Sequence, residues 1–202
     1  QRQMCIRDST LLIESCTISN SKSLVRAKEG ISIQINKVSV NKSIINGCSG
    51  DMFAYKESTV AQIPVTEITN STLIKPQGRI FYAGNAASFS IDYCTMYGWG
   101  GSKAMLELGD KNTLGMSLAI KNTILANGGS NRKAHNANAA ANLSLTIEKV
   151  YGTNDMTFHS TLGDVTKYDK PSTEVFENPE EGNFKIIDAL FPSSIGDPRW
   201  KE

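Results

Sequence analysis

A motif that recurs along the whole chain constrains the fold more than any other feature of the sequence. An isoleucine is followed three positions later by a small residue and, in most copies, five positions later by a large aliphatic residue. Successive copies start 22, 33, 23, 29 and 27 residues apart. The copies begin at Ile13, Ile35, Ile68, Ile91, Ile120 and Ile147. Supersecondary units that recur at such intervals are typical of solenoids, in which each unit packs on the next.

Each copy predicts two short strands joined by a bend. Apolar residues alternate with a period of two on either side of the isoleucine, but the alternation breaks once between the isoleucine and the small residue. The positions at this break include Asn70 and Asn122, and Asn tolerates the left-handed backbone that a sharp bend needs. A helix is excluded because the apolar residues do not recur with helical spacing and the segments are rich in Ile, Val and Thr.

A further apolar run follows the strand pair in several copies, after a turn rich in Gly and polar residues. Three short strands per unit predict an all-β fold, a right-handed parallel β-helix of about six coils with a C-terminal cap. We expect the coils to span residues 10–165, followed by an irregular strap and capping segment over residues 166–202. An antiparallel β-sandwich is the alternative, since regular strand spacing alone also fits that fold.

The first nine residues do not resemble a natural protein sequence. Residues 4–9 resemble the translated reading frame of a transposon-end adapter used to prepare sequencing libraries, and residues 1–3 fit the end of another copy. We therefore leave residues 1–9 out of the fold prediction, as one would leave out an expression scar. On this interpretation the natural protein continues upstream and the present chain is its C-terminal part.

Composition and charge exclude several classes of function. The formal net charge is +1 and no run of Lys or Arg exceeds two residues, so neither a nucleic acid nor an anionic membrane is a predicted partner. No apolar stretch approaches the roughly 18 residues of a membrane span. His135 and His159 stand in no ligand or triad motif, and neither a metal nor a cofactor is predicted. We expect a monomer.

The cysteines do not form a recognisable disulfide or metal pattern. Cys16 and Cys94 occupy the inward small-residue position of the first and fourth copies, too far apart to pair. We predict that both are buried, free thiols that behave as small hydrophobic residues. Cys48 lies in a Gly-rich turn, where it could be exposed.

The end of the chain predicts a cover for the solenoid. A polar, Pro-containing segment is followed by one alternating strand and then by the pentapeptide of residues 196–200, which ends in Trp200. A solenoid needs its last coil covered, because otherwise unpaired strand edges and an open core remain. Trp200 is predicted to act as a plug or side lid, and stacking against a sugar is the alternative.

The coil motif together with the terminal pentapeptide, residues 196–200, resembles the C-terminal region of uncharacterised bacterial surface proteins of the pectin-lyase-like β-helix superfamily. This superfamily includes chondroitinase B and alginate lyases. The resemblance implies carbohydrate handling by a secreted, outer-membrane or lipid-anchored surface protein that accompanies polysaccharide utilisation. The implied partner is a polysaccharide or oligosaccharide. Likeness of fold does not by itself identify a site.

A catalytic constellation is not evident on the outward positions. A polysaccharide lyase needs a base and a group that neutralises a uronate carboxylate. Asp92 beside Lys121 on adjacent coils offers opposed charges, which are ordinarily a surface ion pair. A lyase or glycoside hydrolase would use residues upstream of this chain, or Arg79, Lys103 and Asp92 within it.

Aromatic residues provide the stronger indication of ligand binding. Tyr93, Tyr97 and Trp99 cluster around one bend and turn, where flat rings could stack on sugar faces beside the polar groups of Asp92 and Lys121. Packing of Trp99 over the coil edge is the alternative interpretation. The leading hypothesis is a scaffold or glycan-binding module without catalytic activity. The competing hypotheses are the lyase or hydrolase described above and an adhesin-like structural rod.

Overall fold

Three parallel β-sheets form the walls of the protein in a computed structural model that describes residues 9–27, 35–55, 63–83, 88–108, 115–136 and 143–201. In chain order the strands are β1 (Thr10–Glu14), β2 (Thr17–Ser19), β3 (Val25–Arg26), β4 (Lys37–Asn41), β5 (Ile44–Asn46), β6 (Phe53–Ala54), β7 (Val65–Thr69), β8 (Thr72–Ile74), β9 (Phe81–Ala83), β10 (Ser88–Asp92), β11 (Thr95–Tyr97), β12 (Leu106–Leu108), β13 (Met116–Lys121), β14 (Ile124–Ala126), β15 (Leu143–Glu148), β16 (Tyr151–Gly152), β17 (Thr166–Lys167), β18 (Phe176–Asn178) and β19 (Asn183–Ile186). Among the described residues, helical structure is confined to one α-helical turn, α1 (Ser172–Val175), and to short 3₁₀ turns at Ser160–Leu162, Pro179–Glu181 and Pro198–Trp200.

The sheets stack in the order expected of a parallel β-solenoid. The first sheet runs β1-β4-β7-β10-β13-β15, the second β17-β16-β14-β11-β8-β5-β2, and the third β12-β9-β6-β3. Every pairing within these sheets is parallel, whereas β18 and β19 form a separate antiparallel hairpin. The predicted parallel β-helix is therefore confirmed, and the antiparallel sandwich is excluded.

The number of complete coils is lower than the sequence predicts. Among the described residues the third sheet has four strands, so about four turns carry all three strands rather than the predicted six. After β14 the third wall is reduced to two isolated bridges, Leu106 to His135 and Arg132 to Phe158. The chain that leads to these bridges, residues 127–131, is rich in Asn and Gly, which have low strand propensity.

Strand register corrects the second copy of the motif. Ile13 pairs with Val40, and Val40 pairs in turn with Ile68, so the repeat position is Val40 and not Ile35. The expected pattern is present at Ile35 because Val38 and Val40 follow it at the required spacing. Both valines lie in the straight strand β4, however, and the bend comes only after them. The corrected intervals around this copy are 27 and 28 residues.

The predicted bend is present in every coil. The residue two positions after each repeat position has a left-handed backbone, with φ between 43° and 53°. These residues are Ser15, Lys42, Asn70, Tyr93, Asn122 and Lys149. A second left-handed position, which the sequence did not predict, follows the strands of the second sheet at Asn20, Gly47, Lys75, Gly98 and Asn127.

Hydrogen bonds explain the small residue that follows each bend. The Ser43 hydroxyl accepts the amide proton of Cys16 in the preceding coil and donates to the carbonyl of Asn41 in its own coil. Thr123 makes the same pair of bonds with the Cys94 amide and the Lys121 carbonyl. A small hydroxyl or thiol at this position thus links neighbouring coils where the bend interrupts the backbone ladder.

The cysteines differ from the prediction in two places. Cys94 is buried in the interior and free, as predicted, and burial raises the pKa of its thiol to about 12. Cys16 is exposed, because β1 and β2 lie at the edge of their sheets among the described strands. Cys48 is buried rather than exposed, and its Sγ lies 3.5 Å from the carbonyl oxygen of Lys22.

Residues 168–201, here termed the C-terminal strap, lie along the outside of the second sheet. Aromatic and aliphatic residues of the strap form a second apolar cluster with outward residues of that sheet. The strap members of the cluster that are buried are Val175, Phe176, Phe184, Phe191 and Ile195. The second sheet is therefore buried on both faces, which accounts for the continuous burial of β8, β11 and β14.

The terminal pentapeptide fastens the strap to the second sheet. The buried Asp197 carboxylate accepts a hydrogen bond of 2.6 Å from the Thr72 hydroxyl and pairs with Arg199. The Trp200 indole donates to the same Thr72 hydroxyl at 2.7 Å, and its ring lies 5.7 Å from that of Phe184. Trp200 thus lies against the side of the solenoid as a lid, rather than plugging its last coil.

Candidate functional site

Within the part of the chain that the structure describes, the first sheet presents the broadest outer face that the strap leaves uncovered. Its strands alternate between buried inward residues and partly exposed outward residues, as in β7 and β13. Six strands at a spacing of about 4.8 Å make this face roughly 24 Å long. We call it the open face.

Polar residues line the open face in rows, because parallel register places equivalent residues side by side. One row consists of Leu12, Ser39, Glu67, Ser90, Ala119 and Thr146, and four of its six members are polar. The next row, beside the first bend, consists of Glu14, Asn41, Thr69, Asp92, Lys121 and Glu148. Amide, hydroxyl and charged groups therefore follow one another along the row beside the bend.

Side-chain hydrogen bonds hold the row beside the bend in place. The Asn41 side-chain oxygen accepts from Thr69 at 3.1 Å and from Asn70 at 3.0 Å, and its amide donates to Glu14 at 2.8 Å. Farther along, the Asn122 amide donates to Asp92 at 2.9 Å. These contacts between coils restrict the rotamers of the polar groups and keep them in fixed positions.

Asp92 and Lys121 are adjacent in register but have different partners. The Lys121 ammonium pairs with Glu148 at 3.0 Å, whereas the Asp92 carboxylate accepts from Asn122. The hydrogen bond from Lys121 lowers the pKa of Glu148 below its ordinary value. Lys121 is therefore engaged with a carboxylate one coil farther on than the predicted pairing with Asp92.

Tyr93 stands at the rim of the open face. It occupies the left-handed position of its coil, with φ of 50°, and 39% of the residue is exposed. The Lys201 ammonium lies 5.6 Å from the ring centroid. Among the three aromatic residues singled out in the sequence, Tyr93 is the one that offers its ring to solvent.

Tyr97 and Trp99 are buried and face different surroundings. Tyr97 is 0% exposed under the strap, where its hydroxyl donates to Glu180 at 2.5 Å. Burial, together with this hydrogen bond, raises the pKa of Tyr97 to about 12. Trp99 is 1% exposed and belongs to the interior core. The three rings do not form one stacking surface, because the bend after Tyr93 turns the following strand beneath the strap.

Arg79 forms a cluster with two carboxylates at the third sheet. The Arg79 guanidinium bridges Asp51 at 3.1 Å and Glu107 at 2.6 Å, and it stacks 3.9 Å from the Tyr82 ring centroid. Burial alone would lower the pKa of Arg79, but the hydrogen bonds to the two carboxylates outweigh it and raise the pKa. An arginine so paired is unsuited to proton abstraction.

The residues of the predicted lyase alternative are not brought together. Arg79 belongs to the turn before β9 of the third sheet, whereas Asp92 ends β10 in the first sheet. Lys103 is exposed in the turn before β12. Since the solenoid wall separates Asp92 from Arg79, these residues do not form a shared site.

The histidines and acidic residues form no metal centre among the described residues. No group of three or more His, Cys, Asp or Glu side chains is positioned to hold a metal ion there. His135 lies in an isolated bridge of the third wall, and His159 caps the 3₁₀ turn Ser160–Leu162 through its Nδ1. Each histidine therefore takes part in local backbone structure, His135 in a bridge and His159 in a cap.

Comparison with known proteins places the chain in a family. A family model described as a domain of unknown function, DUF5123, matches residues 89–200, more than half of the chain. The chain belongs to this family. The match begins in β10 and ends at Trp200, so the family includes both the later coils and the strap that covers them. No curated protein and no solved structure matches the chain.

Among the described residues, none of the helices is long and apolar enough to cross a membrane.

Proposed function

We propose that this domain of the DUF5123 family is a glycan-binding scaffold without catalytic activity, and that it binds a polysaccharide along the open face. The observation that carries the proposal is the fixed row of amide, hydroxyl and carboxylate groups next to the exposed Tyr93 ring. Sugar hydroxyls both donate and accept hydrogen bonds, and a row of mixed donors and acceptors suits them. The Tyr93 ring would stack on an apolar sugar face.

The ion pairs of the basic residues favour a scaffold over a lyase. A lyase base must be able to lose its proton near neutral pH, which usually requires a lowered pKa. Lys121 pairs with Glu148, and the pKa of Arg79 is raised. Arg79 is therefore not prepared for proton abstraction, and Lys121 is engaged with a carboxylate, so we favour binding over catalysis.

Affinity measurements on a panel of neutral and uronate-containing polysaccharides test the proposal. Tyr93→Ala should weaken binding of the recognised glycan about threefold to tenfold, because the stacking ring is lost. Tyr93→Phe should retain most of the affinity, and Lys185→Ala on the exposed part of the strap serves as the matched control. Equal affinities for the wild type and Tyr93→Ala would remove the open face from consideration.

The same panel separates binding from catalysis. Incubation with uronate-containing polysaccharides should produce no absorbance of unsaturated sugar product. Appearance of such product, abolished by a substitution on the open face, would replace the scaffold with a lyase.

The proposal also includes location and assembly. The resemblance to surface β-helix proteins supports a place outside the bacterial cell or on its outer membrane, and we expect a monomer. Fractionation of the native host and sedimentation of the purified domain test these two expectations separately.

A further inference from the structure

Arg132 is a buried arginine that has no acidic partner among the described residues. It is 9% exposed, although its guanidinium is charged at neutral pH. The other arginines in the described ion pairs contact carboxylates, Arg79 with Asp51 and Glu107, and Arg199 with Asp197. Arg132 forms no such pair within the described residues, and burial lowers its pKa below the ordinary value. A buried charge ordinarily has a counter-charge or a full set of hydrogen bonds.

One edge of the Arg132 guanidinium is bonded and the other is free. Its Nη1 donates to the carbonyl oxygen of Gly100 at 3.0 Å and to that of Gly101. Its Nε is buried and has no hydrogen-bond partner. The Nε and Nη2 groups together form the edge on which a guanidinium binds an oxyanion through two parallel hydrogen bonds. Gly129 packs closely against this edge, since a Cβ there would lie 1.9 Å from Nη2.

A second buried donor belongs to a neighbouring side chain. The indole Nε1 of Trp99 is also buried without a partner. The Arg132 Cζ atom lies 5.8 Å from the Trp99 ring centroid, so the two side chains are neighbours. Both unpartnered groups are donors, and an acceptor is what they lack. Two such groups at one place are unusual, because buried polar side chains are nearly always hydrogen-bonded.

We propose that Trp99 and Arg132 bind an oxyanion of the carboxylate, sulfate or phosphate type. The guanidinium supplies two donors and the compensating charge, and the indole N–H supplies a third donor. The site joins the turn after β11 to the turn after β14, so a bound oxyanion strengthens the contact between the fourth and fifth coils. The proposal is independent of glycan binding on the open face, which lies on a different wall of the solenoid.

Nuclear magnetic resonance of the indole N–H groups tests this site directly. The full chain is titrated with sodium sulfate in a buffer without phosphate, with sodium chloride adjusted to keep the ionic strength constant. The Trp99 resonance, assigned with Trp99→Phe, should shift and saturate. The Trp200 indole already donates to Thr72 and is the internal control, since its resonance should not follow the titration.

Variants distinguish an oxyanion from a buried water molecule. Arg132→Gln should weaken the sulfate affinity about tenfold or more, and Arg132→Lys should weaken it less because it keeps the charge but loses the fork. If Arg132→Gln does not fold, Arg132→Lys provides the comparison. The proposal is overturned if the Trp99 resonance does not move with sulfate, phosphate or acetate, or if it moves equally in the Arg132 variants. Either outcome leaves water as the acceptor.

A parallel titration identifies the source of the oxyanion. Sulfate alone producing the shift supports a free anion as the ligand. A uronate disaccharide that produces a larger, Arg132-dependent shift than acetate supports the acidic group of a sugar. In both cases the residues proposed for the site are the same.

Discussion

The outer faces of the first and second sheets have opposite characters although the same repeat builds both. On the open face, outward residues such as Asn41, Thr69 and Asp92 are polar and reach solvent. On the second sheet, outward residues such as Ile124 and Tyr97 are apolar and lie beneath the strap. Inward residues are similar in both sheets. The difference shows that the repeat governs the interior, whereas residues from outside the repeat decide the use of each outer face.

The largest effect is expected from removing an aromatic residue of the strap. Phe184 is fully buried, and its ring lies 5.2 Å from that of Tyr97 and 5.5 Å from that of Phe176. Phe184→Ala should lower the free energy of unfolding by about 3 to 5 kcal/mol, because it leaves a cavity over the second sheet. Tyr93→Ala, on the exposed rim, should change it by less than about 0.5 kcal/mol. Denaturant unfolding of both variants measures the contrast, and similar losses would contradict it.

A smaller loss is expected at the clamp between strap and sheet. Asp197→Ala removes the acceptor of Thr72 and the partner of Arg199. We expect a loss of about 2 to 4 kcal/mol, since Arg199 is partly exposed and can be rehydrated. Asp197→Asn, which keeps an acceptor oxygen for Thr72, should lose less. If alanine and asparagine are equally harmless, the pentapeptide does not hold the strap.

Acidification should weaken the contact between the C-terminal strap and the solenoid. Burial alone would raise the pKa of Asp155, but hydrogen bonds from Ser172, Thr153 and the Asn127 amide outweigh it and lower the pKa. A carboxyl whose pKa is lowered on folding stabilises the fold above its unfolded pKa of about 3.9 and loses that contribution as the pH falls through the folded value.

Denaturant midpoints measured from pH 6 down to about pH 2.5 test this dependence. The denaturant midpoint of the wild type should decrease once the pH is lower than about 4. The midpoint of Asp155→Asn should be lower than that of the wild type at pH 6 and should decrease less on acidification. Parallel curves for the two proteins would show that Asp155 makes no contribution.

The smallest effect is expected for an ion pair on the open face. Lys121 and Glu148 are both substantially exposed, with side-chain exposures of 41% and 55%. Lys121→Ala should leave the denaturant midpoint unchanged within experimental error, because solvent screens exposed pairs. The measurement is repeated at low and high salt. A marked, salt-dependent destabilisation would mean that the open face contributes to stability as the covered face does.

The interior of the solenoid was largely predictable from the sequence. The alternation around Ile68, Ile91 and Ile120 predicted the inward columns, and the break after each predicted a bend that the structure places at residues with left-handed backbone. The second copy was displaced to Ile35 because two valines in one straight strand reproduce the spacing of the motif. Spacing does not distinguish a straight strand from a bend when β-branched residues occur in both.

The candidate site was less predictable. Tyr93, Tyr97 and Trp99 are close in sequence, yet they lie respectively on the rim, under the strap and in the core. Residues that alternate along a bent strand point in different directions, and their neighbours come from other coils. Nothing in the sequence links Arg132 to Trp99, since 32 positions separate Arg132 from Gly100, whose carbonyl it contacts.

The repeat by itself determined which residues face the interior and favoured a parallel β-solenoid, because periodic burial is a local property that each coil carries in its own residues. The tertiary structure decided which outer face is covered and which remains open. That choice depends on contacts such as the one from Thr72 to Asp197, which are 125 positions apart. The apolar outward residues of the second sheet are buried only because the strap packs against them.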